Sequence, residues 1–348
     1  MQQLISCAGY CGSGSSAVTD LIGEYEGVKS LTEYEFRFIQ DIDGVADLEY
    51  HLVKNHHRHN AGHALKRFWR LSQFNHGTWF NARYEPFFGG QYLSITRQYV
   101  DSLADYRYPG YWYMDMYERG KWMYYWYSLK GKILKKLKIN SLKMSHEETF
   151  GSHPTEERFL KETKLYLSKL LEAANPKNAP RLMVDQLLPS SGINQCLRYF
   201  DCDVKLLIVD RDPRDVYISG KYIWKNGIIP RDPELFCKWF RDCHESNRDE
   251  ICDSNKVIKL QFEDMIFNYE REKLKIEEFI GFETGQHKHP FSGFNPKRSV
   301  HNTQLWKLYS EDSAIDIIEK SLHEYLYNFD GVNYRAIPGI EPERIKRF

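Results

Sequence analysis

The chain has 348 residues with 48 Lys plus Arg against 48 Asp plus Glu, so no sequence-wide basic field exists and no nucleic-acid partner is expected. Seven cysteines, an odd number without a C-x-x-C pair, fit a reducing compartment better than a disulfide framework. No apolar run approaches membrane-spanning length, and the N-terminus reads as the start of a strand rather than a signal peptide, which predicts a cytoplasmic location.

The first twenty residues organise the reading. Leu4 to Ala8 is an apolar run long enough for one buried strand. Gly9-Tyr-Cys-Gly-Ser-Gly-Ser-Ser16 follows, and then Ala17, Val18, Leu21 and Ile22 fall at helical spacing. A strand turning through glycines into a helix points free backbone N–H groups at one spot, and the helix dipole adds positive potential there. Such a turn is a phosphate or sulfate cradle. The candidate anion-binding residues are therefore Gly12, Ser13, Gly14, Ser15 and Ser16. Their spacing is that of a P-loop, except that Ser15 stands in the lysine position. The plain alternative is a tight turn without a ligand.

Val28 onward predicts a second strand and the loop beyond its carboxyl end. In open parallel sheets the strand ends on that side form the ligand crevice. Glu33, Glu35 and Arg37 are thus expected near the glycine turn, with Glu35 as candidate general base and Arg37 beside it to bind an anion. Ordinary solvated charge is the competing reading. Residues 40–80 read as helices and loops. Asp41-x-Asp43-Gly44 lacks the remaining ligands of a calcium loop and reads as a turn or cap. His56, His57, His59 and His63 lack an HExxH pattern or a cysteine partner and read as a polar helix surface.

Tyr99 to Tyr127 is unusually aromatic, a composition suited to stacking on sugar rings or to plain packing. Directly afterwards, six lysines from Lys130 to Lys143 alternate with Ile133, Leu134, Leu137, Ile139 and Leu142. This stretch predicts a basic amphipathic helix. It reads first as a solvated helix with an ordinary buried stripe. The second reading, for the 99–143 region, is peripheral contact with an anionic membrane face.

Thr155 to Ala174 predicts an amphipathic helix capped by Thr155 and stopped by Asn175-Pro176. Arg181 to Val184 predicts a strand ending in Asp185-Gln186 at the crevice side. Lys205 to Val209 predicts a buried parallel strand, followed by Asp210-Arg211-Asp212-Pro213-Arg214-Asp215 and a helix bearing Ser219. Arg211 and Ser219 could share one phosphate, at a site expected to be separate from the glycine turn. A salt-bridged loop, with the three aspartates neutralising both arginines, is the alternative. Pro233 to Ile251 predicts a long helix and Lys256 to Phe262 a strand. His287 to Lys307, with Lys297 and Arg298, has the profile of a binding loop. Asp312 to Phe329 predicts a final helix.

CGSGSS after the first strand and VDRDPRDVYIS after an internal strand resemble the two cofactor motifs of the PAPS-dependent sulfotransferases, bacterial carbohydrate-type members above all. The resemblance implies an α/β, P-loop NTPase-like three-layer fold with a central parallel sheet flanked by helices. It implies one domain over 1–348 with a largely helical, aromatic-rich insertion over roughly 40–178, on the acceptor side or facing a membrane. It further implies that Gly12 to Ser16 hold the 5′-phosphosulfate of PAPS while Arg211 and Ser219 hold its 3′-phosphate. Many members carry Lys or Arg where this chain has Gly12, so either Lys297, Arg298 or Arg37 is the substitute cation or catalysis rests more on backbone N–H groups. Glu35-Phe-Arg37 resembles a Glu-x-Arg of several members; Glu33 is the second candidate base.

The implied reaction is in-line transfer of a sulfuryl group to an acceptor hydroxyl, with a glycan or lipid-linked glycan as the expected acceptor and no metal required. The rivals are an ATP-dependent P-loop kinase, against which Ser15 argues, and a non-catalytic nucleotide- or membrane-surface-binding module.

Overall fold

The computed structural model describes residues 3–31, 33–225, 227–246, 249–309, 312–332 and 337. The chain divides into two compact units, residues 1–36 with 177–348, and residues 37–176.

The first unit is α/β. Five strands, β1 (Gln3–Gly9), β2 (Val28–Leu31), β3 (Arg181–Asp185), β4 (Asp203–Asp210) and β5 (Val257–Gln261), form one parallel sheet in the order β2-β3-β1-β4-β5. The pairings align Cys7 with Asp185, Gly9 with Val209 and Asp210 with Gln261, so the carboxyl ends lie along one edge. The central strands are apolar on both faces because helices cover both: Leu4 and Ile5 of β1 and Leu206 to Val209 of β4 are almost fully buried. Helix α1 (Ser15–Gly23) contributes Val18, Leu21 and Ile22 to a core with Ile5, Met183 and Phe262. A separate core gathers Val216, Ile218, Phe236, Phe240 and Ile318.

Two helices are shorter than their sequence patterns predict. Pro233–Glu245 ends before Ile251 because the following chain is drawn elsewhere. The Glu250 carboxylate accepts from the backbone N–H groups of Ile193 and Asn194, at the start of helix Ile193–Leu197. Similarly, helix Ala314–Ser321 stops well short of Phe329. There Tyr327 N donates to Asp212 Oδ2, and the Tyr327 and Phe329 rings pack on Phe267. In both cases a tertiary hydrogen bond outweighs propensity to continue a helix.

The second unit is largely helical. Its long helices are Arg58–His76, Tyr92–Leu103, Lys121–Lys136 and Glu156–Ala174, with strand Tyr106–Pro109 paired antiparallel to Glu148–Gly151. Thr155 caps the last of these helices by accepting from Arg158 N. Tyr99 and Tyr166 stack at 4.4 Å inside this unit, and their hydroxyls bond Thr163 and Thr96. Part of the aromatic excess is therefore ordinary core. The stretch that follows is not: Ile133, Leu137, Ile139 and Leu142 of the expected buried stripe lie on the surface, and the helix, Lys121–Lys136, ends before Lys143; Trp122, Trp126 and Leu129 are exposed with them. That helix turns only Tyr127 fully inward.

Candidate anion-binding site

Helix α1 starts at Ser15 directly after β1 and the glycine turn. Its N-cap is Gly14, at φ 83°, and no side chain caps it; within the first turn Ala17 N donates to Gly14 O at 3.0 Å. Gly12 also has positive φ. A Cβ there would come 2.7 Å from the Trp224 ring, and one on Gly14 would come 2.6 Å from Phe262. Both positions need glycine for conformation and for space. Ser13 turns inward, and its hydroxyl is buried without a hydrogen-bond partner.

Arg211 follows β4 and is 4% exposed. Its Nη1 donates to Gly12 O at 3.0 Å, and its Nη2 donates to Asn302 O at 2.5 Å and approaches Ser219 Oγ at 3.3 Å. Its Nε is buried without a partner. Arg211 and Ser219 thus meet, and they meet at the glycine turn, not at the separate position expected from sequence. The reason is the sheet order. β4 lies next to β1, so the residue after β4 reaches the loop after β1.

The aspartates of this loop divide their work. Asp212 pairs bidentately with Arg214, which also donates to Glu319 and lies over the Trp306 ring. Asp210 bonds His244, which stacks on Tyr10 of the glycine turn at 3.7 Å. Asp215 accepts the N–H groups of Gln304 and Leu305 and so holds the segment that presents Asn302 to Arg211. Burial pushes the Asp215 carboxyl up to about 7, against the lowering charge of Arg211. Glu263, behind it, is pushed up to about 8 by burial and then by Asp215 and Asp212.

At the β3 end, Gln186 adopts φ 56° and donates from Nε2 to Ser15 Oγ at 2.9 Å. The hydroxyl in the P-loop lysine position is therefore held by a neutral amide. Asp185 lies 3.3 Å from Thr19 Oγ1, and its carboxyl is raised to about 7 by burial first and by the charge of Glu35 second. Phe36 N donates to Asp185 O, which fixes the segment carrying Glu35 at this strand end. Glu33 and Glu35 are both exposed. Sequence reading put Asp185 and Gln186 on the crevice side but gave them no role.

Arg37 belongs to the second unit, where Nε donates to Asp41 Oδ1 at 2.9 Å. Arg298 donates to Gly293 O and acts on the Asp20 carboxyl, on the second turn of α1. Lys297 is exposed beside it. This loop is anchored at the far end of α1. Glu24 accepts from His287 and from the backbone N–H groups of Phe291, Gly293 and Phe294.

The second unit has its own cavity of about 220 Å³, walled by Tyr106, Tyr108, Trp112 and His59, with Lys66 at its base. His59 stacks on Trp112 at 3.7 Å. His63 Nδ1 and Thr149 Oγ1 are buried at the cavity without partners. His63, Asp115 and Glu118 also bring ligand atoms within 4.8 Å of one another. The Asp115 oxygens, however, already accept from Lys66, Arg70 and Trp112 N, and His63 Nε2 is 2.7 Å from Glu118. Those acids serve an ion-pair network. Among the described residues no helix is long and apolar enough to cross a membrane.

No family model and no curated protein matches this chain. Among solved structures it is similar to sulfotransferase STF9 from Mycobacterium avium, at 14% identity and TM-score 0.37, covering 94% of this chain and 77% of that one. It is also similar to sulfotransferase STF1 from Mycobacterium tuberculosis H37Rv, at 8% identity and TM-score 0.33, covering 87% and 77%.

Proposed function

We propose that the protein is a PAPS-dependent sulfotransferase acting on an acceptor hydroxyl. The observation that carries this reading is the glycine turn itself. The Ser13 hydroxyl and the Arg211 Nε are both buried without hydrogen-bond partners at one sheet edge, beside a helix N-terminus that no side chain caps. Buried donors without acceptors are costly, and a multiply charged anion supplies acceptors to all of them. In this reading Gly12 to Ser16 hold the 5′-phosphosulfate. Arg211 and Ser219 exchange their protein contacts for oxygens of the 3′-phosphate. Arg211 also supplies the positive charge that the residue at Gly12 cannot, in preference to Lys297, Arg298 or Arg37.

The transfer breaks the bond from sulfur to the bridging phosphate oxygen and forms one from sulfur to the acceptor oxygen. PAP leaves with the electron pair, and the hydroxyl proton passes to a carboxylate. Glu35 is the proposed base and Glu33 the second candidate. The neighbouring Asp185, with a carboxyl near 7, is poised to share that proton at neutral pH. Positioning and charge stabilisation supply the remainder of the acceleration, as in phosphoryl transfer. The seven cysteines stand as thiols, which favours a cytoplasmic setting.

A glycan is the proposed acceptor class. Tyr106, Tyr108 and Trp112 offer ring faces beside the polar side chains of His59 and Lys66, a combination that binds sugar rings. The test is mass spectrometry of candidate glycans incubated with PAPS, with formation of a sulfated product expected together with release of PAP. A kinase reading finds support in Asp185, at the strand end where a magnesium carboxylate could stand, but Ser15 and its amide partner Gln186 leave the P-loop lysine unreplaced. Phosphorylated product from ATP and magnesium, without transfer from PAPS, would establish that alternative.

A further inference from the structure

Helix Lys121–Lys136 presents an apolar stripe to solvent. Trp122, Trp126, Leu129, Ile133 and Leu137 recur at three- and four-residue intervals and are 45–84% exposed. Repetition at that spacing puts them on one face. The opposite face is covered by the unit around Tyr127 and Gly131, though Tyr124 on that side is exposed. Tyr127 is buried there, and a Cβ on Gly131 would come 2.3 Å from Lys143 Cε. The outward stripe is therefore not the packing face of the helix. Tyr113, Tyr117 and Tyr125 add exposed aromatic surface nearby in the chain. Contiguous exposed apolar surface on this scale marks an interaction site.

Charge identifies the partner. Between Glu118 and Glu147 the chain carries Arg119 and seven lysines and no Asp or Glu, although the whole chain is balanced at 48 against 48. Lys130, Lys132 and Lys136 flank the stripe, close enough in helical phase for their stems to lie along it while the ammonium groups reach sideways. An apolar stripe with Trp at its start, bordered by lysines and free of acids, matches an anionic bilayer surface. The stripe enters the acyl boundary, tryptophan indoles sit at the headgroups, and lysines meet lipid phosphates. An acidic protein would satisfy the lysines but offers no reason for two largely exposed tryptophans. A second copy of the chain would bring the same positive charge against itself.

We propose that helix Lys121–Lys136 docks the protein on the surface of an anionic phospholipid bilayer, lying in its plane without crossing it. This does not depend on the transfer reaction. The experiment is flotation of the full chain with phosphatidylcholine vesicles, with and without phosphatidylglycerol. Tryptophan emission is followed and salt is varied. Expected are binding to the anionic vesicles only, a blue shift on binding, and release by salt. At about 1 kcal/mol per lysine near an anionic surface, Lys130→Gln/Lys132→Gln/Lys136→Gln should weaken partitioning roughly a hundredfold. Trp122→Ser/Trp126→Ser should abolish the blue shift and weaken binding at least tenfold. All five residues lie outside the buried core, and an unchanged unfolding transition verifies each variant's fold. The proposal is overturned if anionic vesicles do not bind, or if neither variant alters binding. It is equally overturned if the tryptophan variant instead dissolves a vesicle-independent dimer.

Discussion

Arg211 ties three segments together, and removing it tests both the clasp and the nucleotide assignment. In Arg211→Ala the carbonyls of Gly12 and Asn302 lose charge-assisted donors at 3.0 and 2.5 Å. The buried Asp215 carboxyl also loses the nearby positive charge that lowers it. Each such bond contributes about 1.5–3 kcal/mol net, and breaking one partner out of a buried charged network costs about 3–5 kcal/mol in all. At roughly 2–4 °C per kcal/mol, the melting temperature should drop by about 6–20 °C.

Arg211→Lys separates stability from recognition. Lysine keeps the charge but cannot fork onto a phosphate. PAP affinity measured by calorimetry should fall about 10–150-fold, the equivalent of one charge-assisted interaction. Adenosine 5′-phosphosulfate, which lacks the 3′-phosphate, should lose less than about threefold. Equal weakening of both nucleotides would refute the phosphate assignment. An unchanged melting temperature for Arg211→Ala would refute the clasp.

The carboxylates at the β2 and β3 ends give a paired test. Glu35→Gln should lower turnover by roughly 10²–10⁴ with PAP affinity nearly unchanged, while Glu33→Gln should cost far less. If Glu35→Gln instead keeps its turnover and only moves the acidic limb of the pH–rate profile downward, Asp185 is the base, because the substitution removes a charge that raises it. The third test is stability against pH. The folded Glu263 carboxyl, at about 8, lies above its ordinary value, so the native state holds an extra proton across about pH 4.5–8 and stability is lost as pH rises through that window. Glu263→Gln stays neutral, and its melting temperature should fall less than wild type between about pH 5 and 8.5. Parallel pH curves would mean that Glu263 is charged in the native protein.

Strands β1, β3 and β4 are legible because each carries a short apolar run bounded by turn residues, and β1 and β4 read as buried on both faces. The glycine turn was legible for the same local reason: Gly12, Gly14 and the serines form one continuous stretch. The meeting of Arg211 with Gly12 was not legible. It requires β4 to lie beside β1, and strand order is a non-local property that no periodicity encodes. Gln186 shows the same limit. A glutamine after a strand has no signature until the register sets it against Ser15.

The basic loop shows why composition can identify a binding-type segment without saying where it binds. Lys297 and Arg298 gave the 287–307 region its character, yet its path is fixed by two buried carboxylates. Glu24 collects His287 and three backbone N–H groups at the C-terminal end of α1, and Asp215 collects those of Gln304 and Leu305 near the glycine turn. Between those anchors the chain runs along α1, which leaves Arg298 beside Asp20 and brings only a carbonyl, that of Asn302, to Arg211. A carboxylate that satisfies several backbone N–H groups outweighs a solvated lysine's pull toward any one site, because the buried donors have no water to return to. The conspicuous charges of this loop therefore follow its two inconspicuous anchors. The charge at the glycine turn falls to Arg211, which an adjacent strand delivers.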